Sequence, residues 1–133
     1  MRMMEPFNVA EGIAFTSERL RESYATLCAH PEWGAMFIAE VGGVPAGYAV
    51  LTYGFDFEFG GREAFLTELF VTDRYRNIGV GKTLIARIEA FAVESGVKAL
   101  HLIVRRENGR AQILYRRSGF NFDSRLLMTK PLV

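Results

Sequence analysis

Residues that favour β-strands fill three stretches in the first half of the chain, and pairs of glycines separate them. The stretches are Trp33–Val41, Val44–Phe59 and Ala64–Val71, and each is rich in apolar, aromatic or β-branched side chains. Gly42-Gly43 and Gly60-Gly61 lie between them, and glycine accepts the backbone conformations that tight hairpins require. The pattern therefore predicts three strands joined as an antiparallel meander.

Helical spacing of apolar residues appears on either side of this meander. Thr16 or Ser17 can cap a helix that runs to about Ala29, just before Pro31. A second helix is predicted from Gly79 to Glu94, because apolar residues recur there every three or four positions. We expect the first helix to bury a face that includes Cys28. The apolar faces consist of Leu20, Tyr24, Leu27 and Cys28 in the first helix, and of Val80, Leu84, Ile88, Phe91 and Ala92 in the second.

The C-terminal part of the chain continues this alternation of strand and helix. Val97–Val104 is a predicted strand, and since it follows a helical crossover it should pair in parallel with the third strand. Ala111–Ser118 is a predicted short helix, and Phe120–Pro131 could form a final pair of strands. The expected fold is α/β: one domain over residues 1–133 with a mixed central sheet flanked by helices.

Length and composition exclude several classes of protein. A chain of 133 residues fits a single domain, and no apolar run approaches the roughly 20 residues of a membrane-spanning helix. Cys28 is the only cysteine, so no intrachain disulfide can form, and we expect a cytoplasmic protein. No metal site is predicted.

The net charge of +1 hides an asymmetry between the two halves of the chain. Up to Val71, four arginines face ten acidic residues, which gives a net charge of −6. From Thr72 onward, twelve basic residues face five acidic ones, which gives +7. This division favours an anionic ligand for the C-terminal half and a cationic one for the N-terminal half, although surface charge alone could produce it.

The segment RNIGVGKTLI, residues 76–85, contains the most informative motif. It is not a triphosphate-binding loop, because Arg76 occupies the place of the first required glycine. It is not a dinucleotide fingerprint either, because Leu84 replaces the third glycine. It does place small residues and two cations before the start of a helix, where unpaired N–H groups attract anions. The loop is therefore a candidate phosphate site, or a plain glycine turn before a helix.

Four motifs, in order along residues 33 to 123, resemble the GNAT acetyltransferases, the Gcn5-related N-acetyltransferase family. The loop matches its Arg-x-x-Gly-x-Gly segment, and the residues before it match its fourth-strand signature. The other two motifs resemble an earlier hairpin and a later helical segment of that family. The matching residues are Gly43, Pro45, Gly47 and Tyr48; Glu68-Leu69-Phe70-Val71 with Asp73 and Tyr75; Arg76 to Gly81; and Asn108, Ala111, Tyr115 and Gly119-Phe120.

The resemblance implies a fold in which two central parallel strands splay apart to admit acetyl-CoA, and a reaction in which an amine takes the acetyl group. The loop and the strand before it would hold the cofactor, and Asn108 would contact the pantetheine arm or order the loop near it. The cofactor-binding residues carried over are Leu69, Phe70, Val71, Arg76, Asn77, Ile78, Gly79, Val80, Gly81, Lys82, Asn108 and Ala111.

The chain departs from the family pattern at two places. Asn77 stands where glycine is usual, and we expect little harm because asparagine tolerates left-handed backbone conformations. Residues 1 to 15 are too few for the family's first strand and first helix. Either the domain lacks its first strand, which is our expectation, or the chain has been shortened. In both cases a sheet edge would be left that a second subunit of a homodimer could cover.

Acetyl transfer to an amine creates two proton problems. Deprotonating an alkyl ammonium of pKa about 10.4 at pH 7 costs on the order of 4–5 kcal/mol, so a base is useful. Glu68, expected to share a strand face with Leu66 and Phe70, is the leading candidate, and Asp56 and Glu58 are its rivals.

The departing thiolate needs a proton donor. The resemblance places Tyr115 where the family has its general acid, and a phenol is protonated at neutral pH. His101, within an apolar strand, is expected to be a structural histidine whose hydrogen bonds are satisfied.

Two other functions are possible on sequence grounds. The chain could be a weakly catalytic acyl-CoA sensor or regulatory module. The arginines between Arg105 and Arg117 could bind nucleic acid, but they lack interleaved aromatic residues, and the three phosphates of CoA explain them more simply. We therefore expect acetyl-CoA and an amine as partners, and neither nucleic acid nor a membrane.

Overall fold

The computed structural model describes residues 17–133. The expectation about the family's first strand falls on residues 1 to 15 and lies outside this range. Packing divides the chain into two compact units, Met1–Ile103 and Val104–Val133. The first unit contains helices α1 (Ser17–Ala29) and α2 (Val80–Glu94) and four strands. The strands are β1 (Gly34–Val41), β2 (Val44–Asp56), β3 (Gly61–Val71) and β4 (Ala99–Leu102).

The four strands form one sheet in the order β1-β2-β3-β4. The first three pair antiparallel through the predicted glycine turns, and β4 pairs in parallel with β3. These pairings confirm the predicted meander, the helical crossover and the mixed sheet. Close approach of β2 to β3 requires glycine at Gly47, where a Cβ atom would come within 2.6 Å of the Phe70 carbonyl oxygen.

The two helices pack against opposite faces of the sheet. On one face Leu20 of α1 joins Tyr48 and Val50 of β2 in a buried cluster. On the other face α2 buries Leu84, Ile85, Ile88 and Ala92, and Phe91 meets Phe37 edge-on. Directly paired residues of antiparallel strands project to the same face, so the register of β2 decides which side chains each helix covers.

The prediction that Cys28 lies on the buried face of α1 is wrong, because its side chain is exposed. Helix α1 buries Leu20 and half-buries Leu27, seven positions apart, whereas Tyr24 is 40% exposed. The face that packs on the sheet is narrower than the apolar stripe of the sequence, so Tyr24 and Cys28 lie outside it. No helix in the described part of the chain is long and apolar enough to cross a membrane.

The second unit contains helix α3 (Gly109–Arg117) and the residues that follow it. The predicted pair of strands in Phe120–Pro131 is wrong, since no residue after Ser118 belongs to a regular element. A strand requires a hydrogen-bonded neighbour, and none of the described strands pairs with this segment. Its apolar side chains, including Phe122, Leu126 and Met128, are exposed.

Candidate active site

A β-bulge in β3 determines which way Glu68 points. Val50 pairs with Glu68 and Leu51 pairs with Leu66, so Thr67 is an additional residue between them. The Thr67 hydroxyl donates to the Val50 carbonyl oxygen at 3.2 Å. Bulges re-aim side chains and are common beside active sites. Glu68 therefore shares a face with Phe70, as predicted, but Leu66 projects to the opposite face, so that part of the prediction is wrong.

Tyr48 pairs with Phe70 across the strands and reaches Glu68 diagonally on this face. Its hydroxyl donates a hydrogen bond to Glu68 Oε2 at 2.9 Å, and its side chain is buried. Burial, followed by the charge of Glu68, raises the pKa of the Tyr48 phenol well above its ordinary value. The phenol therefore remains a hydrogen-bond donor at neutral pH.

The same environment acts on the carboxyl group of Glu68. Burial raises the pKa of Glu68, and the hydrogen bond from Tyr48, which stabilises the charged form, offsets part of that effect. A carboxylate whose pKa is moved towards neutrality is a better proton acceptor than an ordinary glutamate. The sequence pointed to Tyr48 only as part of the hairpin motif, and its role beside Glu68 was missed.

Strand β3 has an open edge over its C-terminal half. Among the described strands, β4 pairs with β3 only from Glu63 to Leu66. The Thr72 N–H donates to the Ala46 carbonyl oxygen at 2.8 Å. Hydrogen bonding alternates along an antiparallel ladder, so the backbone of Phe70 faces β2, whereas that of Leu69 and Val71 faces the open edge. An extended ligand could add to β3 there in the manner of another strand.

The loop after β3 is held by Arg76. The Arg76 guanidinium donates from Nε to the Val71 carbonyl oxygen at 2.9 Å and pairs with Asp73 at 2.6 Å. It also lies over the Phe70 ring, 5.6 Å from the centroid. Arg76 therefore anchors the loop to the end of β3, and its partly exposed guanidinium lies beside the Asp73 carboxylate at the surface.

Backbone conformation in this loop prepares the start of α2. Asn77 has a φ of 65° and is the only residue other than glycine with positive φ among those described, which confirms its expected tolerance of this conformation. Gly79 has a φ of 87° and precedes the first helical residue, Val80. The Thr83 N–H donates to the Gly79 carbonyl oxygen at 3.0 Å. Consequently the N–H groups of Val80, Gly81 and Lys82 have no partner within the helix.

The side chains around these N–H groups suit an anionic ligand. Gly79 is exposed, Gly81 has no side chain to obstruct the backbone, and Lys82 is exposed in the first turn of α2. Ile78 is also exposed, at 62%. A helix N-terminus attracts negative charge because its N–H groups and its dipole both point outward. The loop thus offers a main-chain anion site with one lysine beside it.

The remaining predicted site residues lie in the second unit. Asn108 caps α3, and its Oδ1 accepts a hydrogen bond from the Ala111 N–H at 3.1 Å. Tyr115 is half-buried near the end of the same helix, with its ring 6.0 Å from that of Phe120 in an edge-on contact. The Phe120 N–H donates to the Tyr115 carbonyl oxygen at 3.0 Å. The turn after α3 therefore fixes the Tyr115 ring against Phe120.

The rival acidic residues lie at the hairpin between β2 and β3. Asp56 Oδ1 accepts from the Glu58 N–H at 2.7 Å and from the Phe59 N–H at 3.4 Å, which shapes the turn. Glu58 is exposed. Asp56 lies six residues along β2 from Val50, the partner of Glu68, and this separation is roughly 20 Å at the usual rise per residue. The hairpin carboxylates and Glu68 therefore belong to different parts of the sheet.

Comparison with known proteins gives a consistent result. The model of the Acetyltransferase (GNAT) family matches residues 3–120. The chain is 33% identical over 81 residues to the thialysine N-epsilon-acetyltransferase of Bos taurus, a match that covers 58% of this chain and 48% of the relative. The chain therefore matches about half the length of that enzyme.

Two solved structures extend this likeness to the fold. The integron cassette protein HFX_CASS3, from the mobile metagenome of Cole Harbour Salt Marsh, superposes with a TM-score of 0.87 at 29% identity over 99% of this chain and 82% of its own. The aminoglycoside N-acetyltransferase AAC(6')-Iy, in complex with CoA, superposes with a TM-score of 0.67 at 26% identity over 88% of this chain and 93% of its own.

Proposed function

The chain belongs to the GNAT family of acetyltransferases, and from this premise we propose that it transfers an acetyl group from acetyl-CoA to a primary amine. The observation that carries the proposal is the open edge of β3 beyond Leu66, followed directly by the main-chain anion site at the start of α2. An extended, amide-containing arm that ends in a diphosphate would meet both features in order. Acetyl-CoA has this chemistry.

The cofactor would be bound mainly by backbone groups. The pantetheine arm would pair with Leu69 and with the N–H group of Val71, whose carbonyl oxygen already accepts from Arg76. The diphosphate would accept hydrogen bonds from N–H groups in residues 78–82. Arg76 and Lys82 would add positive charge. The CoA bound to the related aminoglycoside acetyltransferase supports this cofactor. Of the remaining predicted contacts, Phe70 would line the cleft with its side chain, and Asn108 with Ala111 would order the chain near the arm.

Glu68 would act as the base that prepares the acceptor. An ammonium group entering the site loses a proton to the Glu68 carboxylate, directly or through water, and the neutral amine then attacks the thioester carbonyl carbon. The tetrahedral intermediate would release the second nitrogen proton to solvent and expel the CoA thiolate. Tyr115 would donate a proton to that sulfur and recover one from solvent. The hydrogen bond from Tyr48 keeps Glu68 oriented through these steps.

A small cationic amine is the first acceptor class to test. The related bovine enzyme is named for thialysine and for its N-epsilon amine, and a lysine-like amine carries positive charge. The net charge of −6 up to Val71 favours such a molecule. Polyamines, lysine side chains and protein N-termini share this chemistry and belong in the same panel.

An amine panel with acetyl-CoA tests the proposal. Release of free CoA thiol is followed for each amine, and mass spectrometry checks that the product has gained one acetyl group. The proposal expects amine-dependent thiol release with at least one member of the panel. Acetyl-CoA binding without turnover on any amine would instead favour a sensor or regulatory module.

We also propose that a second copy of the chain covers the free edge of β1. Within the described residues β1 lies at the end of the sheet, and an unprotected edge strand tends to pair with another chain. Light scattering coupled to size-exclusion chromatography should give the mass of a homodimer, and a monomer mass at micromolar concentration would contradict this.

A further inference from the structure

Three strands bring an imidazole and two carboxylates together at the hairpin end of the sheet. Asp56 ends β2, Glu63 lies in β3 and His101 lies in β4. His101 Nε2 is 3.2 Å from Glu63 Oε2 and 3.7 Å from Asp56 Oδ2. One potential metal-ligand atom from each residue lies within 4.8 Å of the other two. We propose that these three residues form a binding site for a first-row divalent metal ion, with Zn²⁺ as its preferred ion.

The state of His101 Nε2 is the independent observation behind this proposal. This atom is buried from solvent and has no hydrogen-bond partner among the described residues. Glu63 Oε2 lies 3.2 Å away and can accept a hydrogen bond only when Nε2 carries a hydrogen atom. The expectation of a satisfied structural histidine is therefore wrong. A buried polar atom without a partner calls for an explanation such as an ion.

The separations are compatible with a bound metal ion. Nitrogen and oxygen ligands lie about 2.0–2.2 Å from Zn²⁺, so two ligands of a tetrahedral ion are roughly 3.3–3.6 Å apart. The measured distances of 3.2 and 3.7 Å from His101 Nε2 are close to that range. Three protein ligands would leave the fourth position of a tetrahedral ion for water.

Neighbouring residues also hold side chains of the cluster in position. The rings of Phe65 and Phe59 contact the His101 ring, with centroid distances of 5.0 and 6.0 Å. Asp56 and Glu63 are mostly buried, with side-chain exposures of 18% and 20%. Asp56 uses its other oxygen, Oδ1, to hold the hairpin turn, so Oδ2 keeps its direction towards His101. Supporting contacts of this kind orient metal ligands.

The donor set indicates which ions would bind. Imidazole favours Zn²⁺ and other first-row transition ions, whereas Mg²⁺ prefers oxygen ligands and keeps much of its water. Mn²⁺ should bind more weakly than Zn²⁺, following the usual order of affinities. Because the ligands come from three strands, a bound ion would tie the hairpin to β4 and stabilise the sheet.

This site is distinct from the proposed catalytic one. Glu63 and Glu68 are five residues apart along β3, which is roughly 16 Å at the usual rise. The proposal does not rest on acetyl transfer, and its test needs neither acetyl-CoA nor an acceptor.

Competition titration of Zn²⁺ against a chromophoric chelator tests the site. The protein carries Cys28→Ser so that the exposed thiol cannot contribute. His101→Phe keeps a ring beside Phe59 and Phe65 but has no donor atom. His30→Gln is the matched control, because His30 is the only other histidine and lies between α1 and β1, outside the sheet. Thermal unfolding with and without Zn²⁺ is measured in parallel, with Mg²⁺ as the control ion.

We expect one Zn²⁺ per chain in the Cys28→Ser protein and in its His30→Gln variant. His101→Phe should weaken binding at least about tenfold and abolish the Zn²⁺-dependent rise in melting temperature. If circular dichroism finds His101→Phe unfolded, Asp56→Asn replaces it, since its amide oxygen still accepts from the Glu58 N–H. The proposal would be overturned if the His101→Phe or Asp56→Asn variant bound Zn²⁺ as tightly as the Cys28→Ser protein. It would also be overturned if the Cys28→Ser protein bound no stoichiometric Zn²⁺.

Discussion

The Tyr48 hydroxyl donates a hydrogen bond to Glu68 Oε2 across 2.9 Å, although the two residues are 20 positions apart in the chain. The bulge at Thr67 creates this contact, because it turns Glu68 to the face of the sheet on which Tyr48 projects. Tyr48 is buried and remains protonated at neutral pH, so it acts as a fixed donor. A half-buried carboxylate held by such a donor suits a general base.

Replacing Tyr48 by phenylalanine removes the donor and keeps the ring. The charged form of Glu68 loses a stabilising hydrogen bond, so its pKa should rise further. The acidic limb of the kcat/KM profile should therefore move to higher pH, while the affinity for acetyl-CoA stays within about twofold. A profile with an unchanged acidic limb would mean that Tyr48 does not influence the base.

Glu68→Gln tests the base directly. Loss of a general base typically lowers the rate by about 10²–10⁴-fold, and the remaining activity should increase with pH as more of the amine becomes neutral in solution. Glu58→Gln, at the exposed hairpin, should leave kcat/KM near the wild-type value. A large loss in Glu58→Gln together with a small one in Glu68→Gln would transfer the role to the hairpin.

The raised pKa of Glu68 has a consequence for stability. The unfolded chain loses the Glu68 proton at the ordinary pKa, whereas the folded chain holds it to a higher pH. The free energy of unfolding therefore falls as pH rises through this window. Glu68→Gln has no proton to lose, so its stability relative to wild type should increase as the pH rises from the ordinary glutamate pKa of 4.5 towards neutrality.

Urea unfolding across that range measures this difference. Glu89→Gln, which removes an exposed carboxylate on α2, serves as the control. A stability difference between Glu68→Gln and wild type that stays constant with pH would contradict burial as the cause of the raised pKa.

Tyr115→Phe removes the proposed proton donor and keeps the ring that packs against Phe120. We expect kcat to fall by about 10–100-fold, less than the typical effect of general acid catalysis, because a thiolate is already a fair leaving group. Acetyl-CoA affinity should stay within about twofold, as determined by calorimetry. An equal loss of turnover and of affinity would assign Tyr115 a structural role.

Local patterns predicted most of the fold. The glycine pairs marked both hairpins, and the spacing of Leu84, Ile88 and Ala92 marked the buried face of α2. Prediction was wrong at Cys28 and after Ser118, where the outcome depends on tertiary contacts. A helix buries only the residues that reach the sheet, and a strand forms only beside a partner.

The candidate site was predictable in part. The resemblance identified the loop from Arg76 to Lys82 and the acidic residue Glu68, because these form contiguous motifs. The Tyr48–Glu68 contact was not predictable, since it depends on an additional residue in one strand that shifts the register. The cluster around His101 was missed for a similar reason, because its ligands come from three separate strands.

Calorimetric titration of CoA into a pair of glycine variants tests the central claim, that the main chain at the start of α2 binds the CoA diphosphate. Gly79 and Gly96, before and after the same helix, both have positive φ, at 87° and 77°, and open space around the missing Cβ. Valine is strained to a similar degree at either position, so the pair separates ligand contact from loss of stability.

Gly96→Val should bind CoA with nearly wild-type affinity. Gly79→Val should weaken binding at least about tenfold, because hydrogen bonds from the N–H groups to a charged diphosphate are worth roughly 1.5–3 kcal/mol each. Equal affinity in the two variants would contradict the account and remove this loop from the cofactor site.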